Sequence, residues 1–211
     1  MPTLICLVRH GETAWNLERR LQGHTDVPLN PTGLAQAEAT ARSLAVHRFD
    51  AIYSSDLQRA RQTAEAAARR LGLTPVWLAQ LRERHFGNFQ GLTYDQARAR
   101  HPDAFRLFEQ RDLEHDFGHG ESLSAFAGRI GRTVAELAVR HPGGRLLLVA
   151  HGGVLDTVHR MVRGLPLQPP RDFLIPNAAL NWIEYDDGSW RILSWAEQAH
   201  LEHARDELPD A

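Results

Sequence analysis

The stretch Leu4-Ile5-Cys6-Leu7-Val8-Arg9-His10-Gly11-Glu12-Thr13 changes from apolar to strongly polar within one residue. Thr3 to Val8 are mostly apolar and partly β-branched, which predicts a short buried strand. That strand ends by presenting Arg9 and His10. In open α/β sheets, ligands bind in the crevice beyond the carboxyl ends of the strands. A cation beside an imidazole at that edge therefore predicts an anion site that carries a nucleophile. Gly11 is expected to let the chain turn tightly behind the histidine.

A second stretch repeats the pattern. Arg145 to Ala150 (R-L-L-L-V-A) is a continuous apolar run, as parallel strands covered on both faces require, and it breaks into His151-Gly152-Gly153. If the two strands are parallel neighbours, about 5 Å apart, His10 and His151 converge on one crevice. Between them, Pro31-Thr32-Gly33 opens a helical pattern with Leu34, Ala37, Ala41, Leu44 and Ala45 on one face, ending near His47. Ala51-Ile52-Tyr53-Ser54 reads as a strand. Ser55-Asp56 reads as the N-cap and acidic first turn of a helix that reaches Leu71 and stops at Gly72. Arg59, one turn into that helix, can point to the same edge. Val76-Trp77-Leu78 is a third candidate strand, and Leu81 to Gly87 reads as a polar loop.

From about Thr93 to Glu121, two weak helical patterns break at Pro102 and give way to a loop rich in His, Asp and Gly. Leu123, Phe126, Ala127, Ile130, Val134, Leu137 and Ala138 then keep helical register over five turns, until Pro142-Gly143-Gly144. A helix after His151 turns Val154, Leu155, Val158, Met161 and Val162 inward. Asn177 to Tyr185 and Trp190 to Trp195, joined by Asp186-Asp187-Gly188-Ser189, predict a hairpin. The tryptophans Trp182, Trp190 and Trp195 are read as packing residues. This order predicts one α/β domain over residues 1–197. It is a three-layer α/β/α sandwich with a mainly parallel sheet, a small helical cap over about 93–121 and an antiparallel edge from the hairpin. Residues 198–211 are expected to form a polar tail.

Charge narrows the function. The 24 Lys and Arg nearly balance the 26 Asp and Glu, a net charge of −2, so no overall field draws the chain to nucleic acid or to an anionic membrane. Attraction for phosphate must be local. Cys6 is the single cysteine, so an internal disulfide is impossible, and it is expected to be a small buried apolar residue. With no charged-then-apolar leader and no run of 18 apolar residues, the chain is expected to be soluble and cytoplasmic. Three cationic groups around one imidazole suit a phosphoryl group, whose charge spreads over three oxygens that each need a donor.

At these residues the chain resembles the histidine phosphatase superfamily, in the branch of the cofactor-dependent phosphoglycerate mutases and related broad-specificity phosphatases. The matching pieces occur in the family's order over roughly residues 3–165. They are R-H-G-E-T with Asn16 after it, Gln22-Gly23, S-S-D-L-x-R-A-x-Q-T-A, L-R-E-R-H-F-G-x-x-x-G from Leu81 to Gly91, Gly120-Glu121-Ser122, and V-A-H-G-G. The resemblance implies His10 as the nucleophile that becomes phosphohistidine, with its other ring nitrogen fixed by a backbone carbonyl. It implies Arg9, Arg59 and His151 as holders of the phosphoryl oxygens, and Glu83 as the proton carrier. Asn16, Gln22 and Gly23 would line the phosphate pocket, and amides of the Gly152-Gly153 turn would add a donor.

No metal is implied, since cationic side chains supply the charge. The implied partner is a small phosphorylated metabolite, with the chain a monomer or homodimer. Mutases of this branch carry a longer insertion with an adjacent arginine pair that grips a carboxylate. Here about thirty residues carry Arg98, Arg100, Arg106 and Arg111 singly among acids, which favours a phosphatase. The mutase, which would need 2,3-bisphosphoglycerate, is the alternative, because Glu83-Arg84-His85-Phe86-Gly87 is closer to the mutase form of that loop. A non-catalytic phospholigand-binding protein is a remote third. His115, Asp116 and His119 lack a fourth ligand and are read as solvated or gating residues.

Overall fold

A computed structural model describes residues 1–168 and 170–202. Among these residues one six-stranded sheet runs in the order β3-β2-β4-β1-β5-β6. The first strand, β1 (Thr3–Arg9), lies parallel to β4 (Arg145–Ala150), with Arg9 opposite Ala150. The two His-Gly ends are thus adjacent, as the paired apolar runs predict. On the other side of β4 follow β2 (Ala51–Ser54) and the two-residue β3 (Val76–Trp77), both parallel. The hairpin β5 (Leu180–Asp186) and β6 (Ser189–Glu197) adds the antiparallel edge beside β1. Its two-residue turn, Asp187-Gly188, has φ of 44° and 84°, which matches the twist of the flanking strands.

Both faces of the central strands are covered, and the pleat sorts their side chains between two cores. Ile5, Leu7, Leu146, Leu148 and Ala150 face α6 (Leu123–Arg140) and α7 (Gly152–Arg163). Cys6, Val8, Leu147 and Val149 face α2 (Pro31–Leu44) and α3 (Gln58–Leu71). This is the three-layer sandwich. Alanines 37, 41, 60, 64 and 67 line the second core, and such small side chains let two helices pack closely on one sheet. The thiol of Cys6 is fully buried, and burial pushes its pKa up.

Three local readings need correction. Leu34 is 47% exposed, because α2 is rotated so that Gly33, Gln36, Ala37 and Thr40 face inward in its place. Ser55 and Asp56 do not cap α3. Leu57 stands at the cap position, and the Gln58 amide is met by Asp26 Oδ1 at 2.6 Å from a loop thirty residues away. Gly72 does end that helix, in the left-handed conformation. The expected tail also begins late. Glu197 is the last residue of β6, and Ala199–Leu201 form a 3-10 turn whose Leu201 packs against Ala39 and Ala178. Residues 203–211 lie outside the described part.

Over the crevice stand α4 (Tyr94–Arg100) and α5 (Pro102–Glu109), broken where the Pro102 pattern places the break. Their core is a phenylalanine cluster that also draws on Leu21, Phe86 and Phe89, so the cap body starts before residue 93. Among the described residues no helix is long and apolar enough to cross a membrane.

Candidate active site

The R-H-G-E-T motif reads in three dimensions as a series of anchors. Arg9 donates from Nη1 to the carbonyl of Ile175 at 2.6 Å. His10 is buried; its Nδ1 lies 2.7 Å from the Gly11 carbonyl, so Nδ1 carries the proton and Nε2 holds the lone pair. Gly11 is needed for closeness: a Cβ there would run into the backbone of Gly33 at the start of α2. Its amide donates to Thr63 Oγ1 on α3 at 3.0 Å. Glu12 accepts from Asn30 Nδ2 at 2.6 Å, and Thr13 caps the short helix α1 (Ala14–Leu17). The motif therefore ties β1 to α1, α2 and α3 while leaving one imidazole nitrogen uncommitted.

Burial holds the His10 pKa well below the usual imidazole range, and the positive charges of Arg59 and Arg9 hold it lower still; the hydrogen bond to Gly11 opposes them. His10 is therefore neutral, as a nucleophile must be. The His151 ring lies 5.2 Å from the His10 ring, centroid to centroid. It is held low by burial first, then by Arg59. Its Nε2 lies 2.8 Å from Ser55 Oγ, and its Nδ1 is buried without a partner among the described residues.

Arg59 is the largest fully buried side chain. It donates to the carbonyls of Thr25 at 2.9 Å and Gly23 at 2.8 Å, and its Nε has no partner among the described residues. Burial brings its pKa down to about 10, so it remains cationic at neutral pH.

Glu83 sits at the mouth of α7. Its Oε2 accepts the Gly153 amide at 2.9 Å and its Oε1 the Arg84 amide at 2.8 Å. Of the Gly152-Gly153 amides expected to add a donor for phosphate, that of Gly153 is already taken by this carboxylate. A side chain at Gly153 would collide with Glu83. The 83–87 loop is fixed from beneath. Arg129 on α6 reaches the Gln80 and Arg82 carbonyls and grips Glu121 with two nitrogens, at 2.8 and 2.7 Å. Arg82 pairs bidentately with Asp56, and His24 Nε2 lies 2.8 Å from the Glu83 carbonyl.

Arg9, His10, Asn16, Gln22, Gly23, Arg59, Glu83, Gly152 and Gly153 all line one crevice of about 860 Å³. His151 stands behind them, fully buried. Asn16 spends its Oδ1 on the cap of α1, which leaves its NH₂ as the donor. Gln22 Oε1 is buried and unpaired. Gly23 acts through its carbonyl, as the seat of Arg59.

Sequence reasoning missed Asn177, whose Nδ2 donates to the His10 carbonyl at 2.8 Å, along with Thr63 and Ser55. Thr63 and Ser55 lie inside a motif already quoted, but only the fold gives them their contacts. Asn177 ends an irregular segment before β5 and carried no signal at all. Among the described residues no three His, Cys, Asp or Glu group as a metal site. In the cap loop, Asp116 Oδ1 accepts the Gly118 amide, and the His115 ring packs edge-on to Phe117.

Residues 5–198 match the sequence profile of the histidine phosphatase superfamily (branch 1). The chain is similar to phosphoglycerate mutase-like protein 4 of Arabidopsis thaliana, 38% identical over 202 residues, 94% of this chain and 86% of that one. It is equally similar to a metal-independent phosphoserine phosphatase of the same plant, 38% identical over 203 residues, 94% of this chain and 83% of that one. The solved structure of Bacillus stearothermophilus YhfR superposes with a TM-score of 0.85 at 33% identity, covering 95% of this chain and all of that one.

Proposed function

The chain belongs to the histidine phosphatase superfamily, and we propose that it is a metal-independent phosphomonoesterase that acts on small phosphorylated metabolites through a phosphohistidine at His10. The observation that carries this reading is the His10 ring itself. It is neutral, its Nδ1–H is locked on a carbonyl, and its Nε2 faces a pocket with the buried Arg59 guanidinium, the half-buried Arg9 guanidinium and a second imidazole.

In the first step the His10 Nε2 lone pair attacks phosphorus and the ester P–O bond breaks. The leaving oxygen takes a proton from Glu83. Arg9, Arg59 and His151 hold the oxygens of the transferring group. In the second step water attacks the phosphohistidine, Glu83 takes the water's proton, and the N–P bond pair returns to Nε2. The first step uses Glu83 in its protonated form, and the second step regenerates that form. The cationic side chains supply the charge stabilisation that a metal provides elsewhere, and a relative named as a metal-independent phosphatase supports that part of the reading.

The cap favours hydrolysis over mutase chemistry. Arg98 and Arg106 are exposed and paired with Asp95, Glu109 and Asp103. Only Arg111 of the four reaches the crevice, and it is committed to Asp156 at 2.6 Å. The adjacent pair that does line the crevice, Arg19 and Arg20, lies outside the cap insertion, and Arg20 is paired with Glu18 at 2.6 Å. The reading includes a cytoplasmic enzyme, monomer or homodimer, with no nucleic-acid or membrane partner.

The test is ³¹P NMR with 3-phosphoglycerate and a trace of 2,3-bisphosphoglycerate, beside p-nitrophenyl phosphate with and without EDTA. Phosphate release that EDTA leaves unchanged, with no 2-phosphoglycerate resonance, is expected. Fast isomerisation with little free phosphate would establish the mutase.

A further inference from the structure

Ser55 follows the last residue of β2 and is fully buried, as is His151. Its hydroxyl meets two groups. It accepts the Leu57 amide at 3.3 Å and lies 2.8 Å from His151 Nε2. A neutral imidazole has one donor and one acceptor, which leaves two arrangements. If Nε2–H donated to Ser55, the hydroxyl proton would be buried with no acceptor among the described residues. Nδ1 would then turn a lone pair toward phosphoryl oxygens. If Ser55 donates to Nε2, the amide, the hydroxyl and the ring are all satisfied, and Nδ1–H becomes the free donor. A buried proton without an acceptor is costly, so the second arrangement wins.

We infer that Ser55 is a positioning residue that sets the tautomer of His151, placing the proton on Nδ1 so that this nitrogen donates to an oxygen of the transferring phosphoryl group. The inference rests on the phosphatase reading for the identity of that oxygen, but not for the tautomer. His10, from the end of β1, has its ring 5.2 Å from that of His151, and the charges of Arg59, His10, His24 and Arg9 each disfavour a second proton there. The ring is thus neutral before substrate binds, and the tautomer decides whether it attracts or repels an oxyanion. The same geometry explains why Ser55 does not cap α3. Its hydroxyl is engaged with the histidine, and Asp26 serves the Gln58 amide in its place.

The first test needs no variant beyond an assignment control. In a long-range ¹H–¹⁵N imidazole spectrum of the ligand-free protein, His151, assigned by loss of its signals in His151→Asn, is expected to show a pyrrole-like Nδ1 and a pyridine-like Nε2. The opposite pattern overturns the inference even if Ser55 variants do not fold. In Ser55→Ala, the His151 pattern should become mixed or inverted. kcat/KM for p-nitrophenyl phosphate should fall about tenfold and inhibition by inorganic phosphate should weaken, as expected for loss of one hydrogen bond in a buried site. Ser55→Thr, which keeps the hydroxyl, should restore both. Persistence of the wild-type tautomer in Ser55→Ala overturns the proposal. A wild-type protein with the expected tautomer and no hydrolytic activity would instead overturn the phosphatase reading.

Discussion

The floor of the crevice and the cap above it are held by opposite means. On the floor, cations are fixed by backbone carbonyls distant in sequence, the buried Arg59 by Gly23 and Thr25 and the half-buried Arg9 by Ile175, while the His10 ring is fixed by its neighbour's carbonyl. These positions follow from the register of β1 on β4, and packed strands do not slide. The cap rests on a phenylalanine cluster and on ion pairs that face water, such as Arg98–Asp95 and Arg106–Asp103. Such pairs are worth at most about 1 kcal/mol. Arg111 of the cap pairs with Asp156 on α7, which Arg160 also holds, and Glu121 at the end of the cap pairs with Arg129 on α6. On the proposed reading, the reaction chemistry belongs to the floor and the fit to the alcohol half of a substrate to the cap.

The contrast can be broken most severely at the floor. His10→Ala should lower turnover at least about a thousandfold with the fold intact, because the attacking atom is gone. Steady-state assays with p-nitrophenyl phosphate, with circular dichroism as a control, check this. Glu83→Gln should slow alkyl phosphates by about 10²- to 10⁴-fold but p-nitrophenyl phosphate far less, since that leaving group needs little protonation. Equal losses would remove Glu83 from the proton-carrier role.

Stability should also respond to pH through the floor. His10 and His151 are both held low by burial first, then by Arg59. The unfolded chain therefore takes up protons near pH 6.5 that the folded chain refuses. Stability is full above about pH 6.5 and is lost as pH falls toward the lower folded values, by up to about 2.7 kcal/mol per pH unit for the pair. Urea midpoints at pH 8 and pH 5.5 measure the difference, and a flat profile would contradict it.

The smallest effect belongs to the tie between the regions. Arg111→Ala should cost about 1–2 kcal/mol of stability, since Asp156 keeps Arg160. It should raise KM for larger esters several-fold while kcat for p-nitrophenyl phosphate stays near wild type. A kcat loss as large as that of Glu83→Gln would mean that the cap takes part in the chemistry.

What was legible in the sequence divides along the same line. The strands β1 and β4 could be read because burial on both faces demands unbroken apolar runs, and Asp187-Gly188 because that turn demands positive φ. The side chains that line the crevice could be read because they cluster at strand ends and in an ordered motif. The bonds that orient them could not. Asp26 caps α3 from a distant loop, Gly153 gives its amide to Glu83, and Asn177 reaches the His10 carbonyl across 167 positions. Local pattern carries no record of such contacts. Leu34 shows the same limit in a helix, where apolar spacing suggested one face and packing of α2 on α3 selected a face rotated from it.

The most direct test of the account is a rapid-quench experiment with a ³²P-labelled phosphate ester, followed by mapping of the labelled peptide. The account predicts transient label that is stable to base and labile to acid, on the peptide that carries His10, forming at least as fast as turnover and absent from His10→Ala. Turnover without protein-bound label, or label on any other residue, would contradict it.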